Sequence, residues 1–147
     1  MKMHNKVVLI PRAASGIDKK IAEVFSRAGA IVAIADLELN KAKAAAEEII
    51  SHGGKAMAVA MNVTLEDEVD RGVEEIIQKY GAIDVLISNA GFQHIDPVDH
   101  LKFSDWKKMM AVHLDGAFLT TKACLRSMYT SKRGGSIIYI GSVHSKE

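Results

Sequence analysis

Short apolar runs rich in β-branched residues alternate along the chain with longer stretches whose apolar residues recur every three or four positions. This is the pattern of βαβ units around a parallel sheet. Val7-Val8-Leu9-Ile10 reads as a first strand. Ile17, Ile21, Val24, Phe25 and Ala28 then repeat at helical spacing, and Gly29 supplies a helix stop. Ile31 to Ala35 is a second strand, residues 40–51 a charged, alanine-rich helix broken at His52-Gly53-Gly54, and Lys55 to Met61 a third strand. Thr64 is the expected N-cap of the next helix, with Glu66, Asp67 and Glu68 in its first turn, where carboxylates suit the helix dipole. Val69, Val73, Ile76, Ile77 and Tyr80 form its apolar stripe, and Gly81 ends it. Val85 to Ser88 is a fourth strand, followed by a loop through Pro97. A long helix is expected from about Ser104, with Trp106, Met110, His113, Leu114, Ala117 and Phe118 facing inward, before a fifth strand from Ser136 to Ile140.

Right-handed crossovers would set these strands in the order 3-2-1-4-5, a Rossmann-like doubly wound α/β sheet. Strands this apolar expect helices on both faces. The fifth strand has the composition of an interior strand, so the chain reads as truncated at its carboxyl end, with residues 1–147 forming one incomplete domain.

Composition removes several functional classes. Lysines and arginines are interspersed with acids at a net charge of +1, which gives no basic stripe for nucleic acid. The apolar run Val7 to Ile10 is too short for a signal peptide or a membrane span, so no membrane partner is expected. A single cysteine, Cys124, allows no internal disulfide and suits a reducing compartment, making a cytoplasmic location the expectation.

Ligands of such sheets bind at the carboxyl ends of the strands where strand order reverses, here between strands one and four. Three segments should converge there: Pro11 to Asp18 (including Arg12, Ser15, Gly16 and Ile17), Asp36-Leu37, and Ser88 to Gly91. Asp36 lies 20 residues after Gly16, the spacing at which an acid meets the ribose hydroxyls of a dinucleotide. The alternative is that its carboxylate merely caps the turn after the strand.

At these residues the chain resembles the short-chain dehydrogenase/reductase family over essentially its whole length. Pro11-Arg12-Ala13-Ala14-Ser15-Gly16-Ile17-Asp18 aligns with the family's Thr-Gly-x-x-x-Gly-x-Gly loop, and Asn89-Ala90-Gly91 matches its Asn-Ala-Gly signature. The resemblance implies an oxidoreductase using NAD, because Asp36 stands where an acid disfavours the 2′-phosphate of NADP. It also implies cofactor contacts at Asn62 and Val63, a catalytic serine at Ser142, and His113 in the place of an asparagine that supports the proton relay. A narrower likeness, to 3-hydroxybutyrate dehydrogenases, rests on Gln93 and His144, placed where a glutamine and a histidine bind a substrate carboxylate. Both side chains donate to anions; read alone, each is an ordinary solvated loop residue. The resemblance further implies a hydroxy-acid substrate and a homo-oligomer associating through the long helix.

Departures from the family pattern cluster in the cofactor loop. Arg12 replaces the glycine of the tight turn and Asp18 the glycine that opens the anion-binding helix start, while Pro11 removes a backbone donor. A carboxylate about 4 Å from a phosphate costs ~1 kcal/mol in water and ~4 at an effective dielectric of 20, a roughly ten- to thousand-fold loss, so weakened or lost NAD binding is expected. Arg12 would offset part of this by pairing with Asp18 or a phosphate. Asn62 replaces an aspartate that contacts the adenine, and His113 is equally readable as a packed histidine. None of Tyr80, Tyr129 and Tyr139 is followed by lysine at the family's Tyr-x-x-x-Lys spacing. Three readings stand open: an inactive part of an NAD-dependent dehydrogenase, a nucleotide-binding or interaction module without catalysis, and an altered chain without function.

Overall fold

In a computed structural model, which describes residues 2–141, the elements run β1 (Val7–Pro11), α1 (Gly16–Arg27), β2 (Ile31–Asp36), α2 (Leu39–Ser51), β3 (Lys55–Ala60), α3 (Glu66–Tyr80) and β4 (Val85–Ser88). There follow α4 (Phe103–Met110), a π-helical turn (Ala111–Asp115), α5 (Gly116–Thr130) and β5 (Ser136–Tyr139). All four strand pairings are parallel, and the order is β3-β2-β1-β4-β5, as the alternating pattern predicts.

Every residue of β1 is buried, as are Ile31 to Ala35 of β2, because alternate side chains enter two separate cores. Val7, Leu9, Ala33 and Val59 pack with Val69, Val73 and Ile76 of α3 and with Ala123, Cys124 and Met128 of α5. Val8, Ile10, Val32 and Ile34 pack on the other face with Ala22 of α1 and Ala42, Ala46 and Ile49 of α2. Gly72 lets α3 sit close to the sheet; a Cβ there would come within 2.6 Å of Met61 Cε and 2.9 Å of Val59 Cγ1.

Two local expectations need correction. Leu65, not Thr64, is the N-cap of α3. Asn62 instead builds the approach to the helix, its Oδ1 accepting from the Thr64 amide at 3.0 Å and the Thr64 hydroxyl at 2.8 Å, while Glu68 reaches back to the Asn62 amide at 2.9 Å. The helix after β4 is phased differently from its large apolar residues. Trp106, His113, Leu114 and Phe118 are exposed, and Met110 and Ala117 only half-buried. The buried stripe of α5 is Gly116, Thr120, Ala123, Cys124, Ser127 and Met128, all but the last small residues that allow close approach to α3 and the sheet.

Strand β5 pairs with β4 and, among the described residues, with no other strand. Ile138, Tyr139 and Ile140 are 42–58% exposed, which leaves the apolar edge that the composition of this strand implies.

Candidate cofactor site

β1 and β4 are neighbours, while the chain leaves β1 toward β2 on one side and returns to β4 on the other. The reversal point therefore lies between the loop after Pro11 and the loop after Ser88. Arg12 has φ 60° and Gly16 φ 63°, left-handed values that glycine takes freely and arginine at a cost of about 1–3 kcal/mol. This is the backbone shape the family's glycines serve, kept here with an arginine at the first turn.

Helix α1 begins at Gly16 with Ser15 as an N-cap whose side chain makes no capping bond. Ser15, Gly16 and Ile17 are exposed, so the start of the helix, where first-turn amides lack intrahelical partners, is open to solvent. Asp18 is turned the other way. It is 8% exposed, and its Oδ1 accepts from Asn89 Nδ2 at 2.9 Å. Burial raises the Asp18 pKa, and the Asn89 hydrogen bond and the Arg12 charge offset part of that rise. The carboxylate is thus directed into the loop after β4 and not out among the free amides. Arg12 bonds neither Asp18 nor any other carboxylate among the described residues; its Nη1 donates to the Gly91 carbonyl.

Arg12, Asp36, Leu37, Asn62, Val63 and Phe92 border one cleft of about 290 Å³ at the carboxyl ends of β1 to β3. Asp36 Oδ1 accepts from the Glu38 amide at 3.0 Å, so the turn-capping role holds for one oxygen, and the second has no hydrogen-bond partner among the described residues. A larger hollow of about 870 Å³ lies between α1 and α2 near Gly29 and Gly54, which precede β2 and β3; it therefore sits at the amino ends of the strands, away from the reversal point.

His113 lies on the π-helical turn, with Nε2 2.8 Å from the Phe92 carbonyl and 3.3 Å from the Phe92 amide. The shorter contact fits an Nε2–H donor to the carbonyl. A Cβ at Gly91 would collide with this ring, so glycine is required there by close approach. The Asn89-Ala90-Gly91-Phe92 segment is thereby held from both sides, by Arg12 and Asp18 on one and His113 on the other. Gln93 is exposed beyond it and outside the 290 Å³ cleft. Ser142 and His144 lie outside the described residues. Sequence reading missed Asp84, a 4% exposed carboxylate that binds the Val7 amide at 2.9 Å, Arg133 at 3.0 Å and Lys6 at 3.3 Å. Its only sequence signal is an acid directly before an apolar strand.

The geometry is that of a parallel α/β sheet with its ligand crevice where the strand order reverses. The model of the family described as short chain dehydrogenase matches residues 6–147, and the chain belongs to that family. A sorbitol dehydrogenase from Cereibacter sphaeroides is 36% identical over 142 residues, 97% of this chain and 54% of the relative. A 3-oxoacyl-[acyl-carrier-protein] reductase from Aquifex aeolicus is 37% identical over 144 residues, covering 97% of this chain and 58% of the reductase. The crystal structure of a short-chain type dehydrogenase/reductase from Mycobacterium marinum superposes with a TM-score of 0.95 at 30% identity, over 99% of this chain and 59% of that one. The chain therefore spans little more than half the length of these relatives. Among the described residues no helix is long and apolar enough to cross a membrane.

The residues fit a dinucleotide at its adenosine end, where Asp36, Leu37, Asn62 and Val63 border the cleft. Toward the pyrophosphate end, the exposed helix start at Gly16 and Ile17 suits a phosphate, while Arg12 and Asp18 cross the crevice beside it.

Proposed function

We infer that this chain is the cofactor-binding part of an oxidoreductase that prefers NAD to NADP and serves a small hydroxy acid of the 3-hydroxybutyrate type. The carrying observation is Asp36, which ends β2 at the rim of the cleft with one carboxylate oxygen free. A 2′-phosphate beside that oxygen would meet a like charge in a partly desolvated place. Bound NAD would supply the hydride acceptor; the chain's own residues bind, orient and exclude water. Ser15, Gly16, Ile17, Leu37, Asn62, Val63, Asn89, Ala90 and Gly91 form the cofactor surface in this reading, with Arg12 at the border of the cleft. His113 holds the Gly91-Phe92 backbone, and Ser142 is the group that would hydrogen-bond the reacting oxygen. Gln93 and His144 supply two anion donors for a substrate carboxylate, which supports the hydroxy acid over a neutral sugar. No Tyr-x-x-x-Lys segment occurs within the 147 residues, and dinucleotide binding is the part of this function that these residues themselves put to the test.

Calorimetric titration tests this. NAD is expected to bind more tightly than NADP, and Asp36→Asn to narrow the gap; equal affinities for the native chain would overturn the assignment. With NAD present, 3-hydroxybutyrate is expected to shift the amide resonances of residues 91–93, and a sugar alcohol is not. A second reading, a self-associating module, is favoured by the exposure of Trp106 on α4, Leu114 on the π-helical turn and Phe118 on α5. It predicts dimers by sedimentation whether or not NAD binds.

A further inference from the structure

Two side chains of the cofactor loop reach across the crevice between β1 and β4: Arg12 to the Gly91 carbonyl and Asp18 to Asn89. They are also the two positions at which the loop carries a side chain in place of a family glycine, and glycine could reach nowhere. The substitutions are matched in charge, since the Arg12 guanidinium opposes the burial-driven rise of the Asp18 pKa. They are matched in target as well, both landing on the one three-residue segment that follows β4. We propose that Arg12 and Asp18 form a clasp that stitches the cofactor loop to Asn89-Ala90-Gly91 and holds the dinucleotide crevice shut until a ligand displaces it.

This rests on the dinucleotide reading above and goes beyond it, because it makes weak binding a controlled state and not mere damage. A ligand lying across the reversal point meets both loops there, and in this proposal it competes with the ties between them. The affinity it shows is then the open-state affinity reduced by the fraction of molecules with the clasp open. The left-handed backbone of Arg12 fits this role. Such strain persists where other contacts hold it, and here the holding contacts are the clasp itself.

The experiment compares the native chain, R12G, D18A and the double variant by NAD titration calorimetry and by amide hydrogen exchange. Arg12→Gly is expected to tighten NAD binding on the order of tenfold, the weight of one charge-assisted hydrogen bond. Asp18→Ala should tighten it as well, and the double variant by less than the product of the two, since either change opens the same seam. Exchange at the Gly91 and Phe92 amides should quicken in both single variants. If R12G binds NAD no better than native, or worse, Arg12 is an anion ligand and the clasp is refuted. If the two effects multiply fully, the ties are independent and the clasp is refuted again. Should none of the four chains bind NAD, the dinucleotide reading falls and the gating falls with it. Unchanged exchange at Gly91 in R12G would separately remove the clasp while leaving that reading intact.

Discussion

Replacing Asp84 by alanine is expected to destabilise the chain by about 2–4 kcal/mol, a large share of the ~5–15 kcal/mol by which a domain is stable. The carboxylate sits where three strands meet. Its side chain takes the Val7 amide that opens β1, and its own backbone donates to the Val7 carbonyl and accepts from Ser136 at the start of β5, each at 2.9 Å. Removing the carboxylate strands the buried Val7 amide, which costs about 1–3 kcal/mol. The ion pairs to Lys6 and Arg133 add less, because those side chains are 45% and 41% exposed and such pairs are each worth about 1 kcal/mol or below. Asp84→Asn keeps an acceptor for Val7 and should cost about 1 kcal/mol. Urea unfolding measures both: at a slope of about 1–3 kcal/mol per molar, the alanine midpoint should fall by about 1 M or more. An alanine variant within 1 kcal/mol of native, or an asparagine variant as damaged as the alanine one, would refute the reasoning. The second result would mean that charge pairing, and not the buried acceptor, carries the effect.

Further outcomes follow from buried and edge groups. Burial pushes the Cys124 thiol up to about 12, so the native chain should resist iodoacetamide at pH 8 and react once unfolded in urea; prompt native labelling would contradict the packing of α5. Asp18 has a raised pKa chiefly through burial, so its contribution to stability is present below the unfolded-state value and lost as pH rises through the folded-state one. Asp18→Asn, which keeps an acceptor for Asn89, should therefore gain on the native chain between pH 4 and pH 7 in urea midpoints, and a gap that shrinks over that range would reverse the sign. Ile138→Lys should raise the monomer fraction in sedimentation if the β5 edge drives association, and an unchanged fraction assigns association elsewhere.

Strand order and both cores were legible because β1 and β2 are apolar at every position, which only a doubly covered parallel strand tolerates. The convergence of the loop at Arg12, the strand end at Asp36 and the loop at Gly91 was legible from the same order, since it fixes which loops meet, while Asn62 was legible only through the family resemblance. What they do on meeting was not. Asn89 and Asp18 are 71 residues apart, and Arg12 and Gly91 are 79, so no local pattern announces either tie. The phase of the helix after β4 misled for a different reason. Trp106, His113, Leu114 and Phe118 make a convincing helical stripe, yet the buried stripe is Gly116, Thr120, Ala123, Cys124, Ser127 and Met128. Both stripes keep helical spacing, and size favours the first while closeness to α3 and the sheet demands the second. The π-helical turn at Ala111–Asp115 adds to the shift by widening the helix just where His113 must turn toward Phe92. A helix that spends its small residues inward and its large apolar ones outward has two surfaces to cover. The core covers one, and the outward stripe is what a second copy of the chain would cover in the self-associating reading.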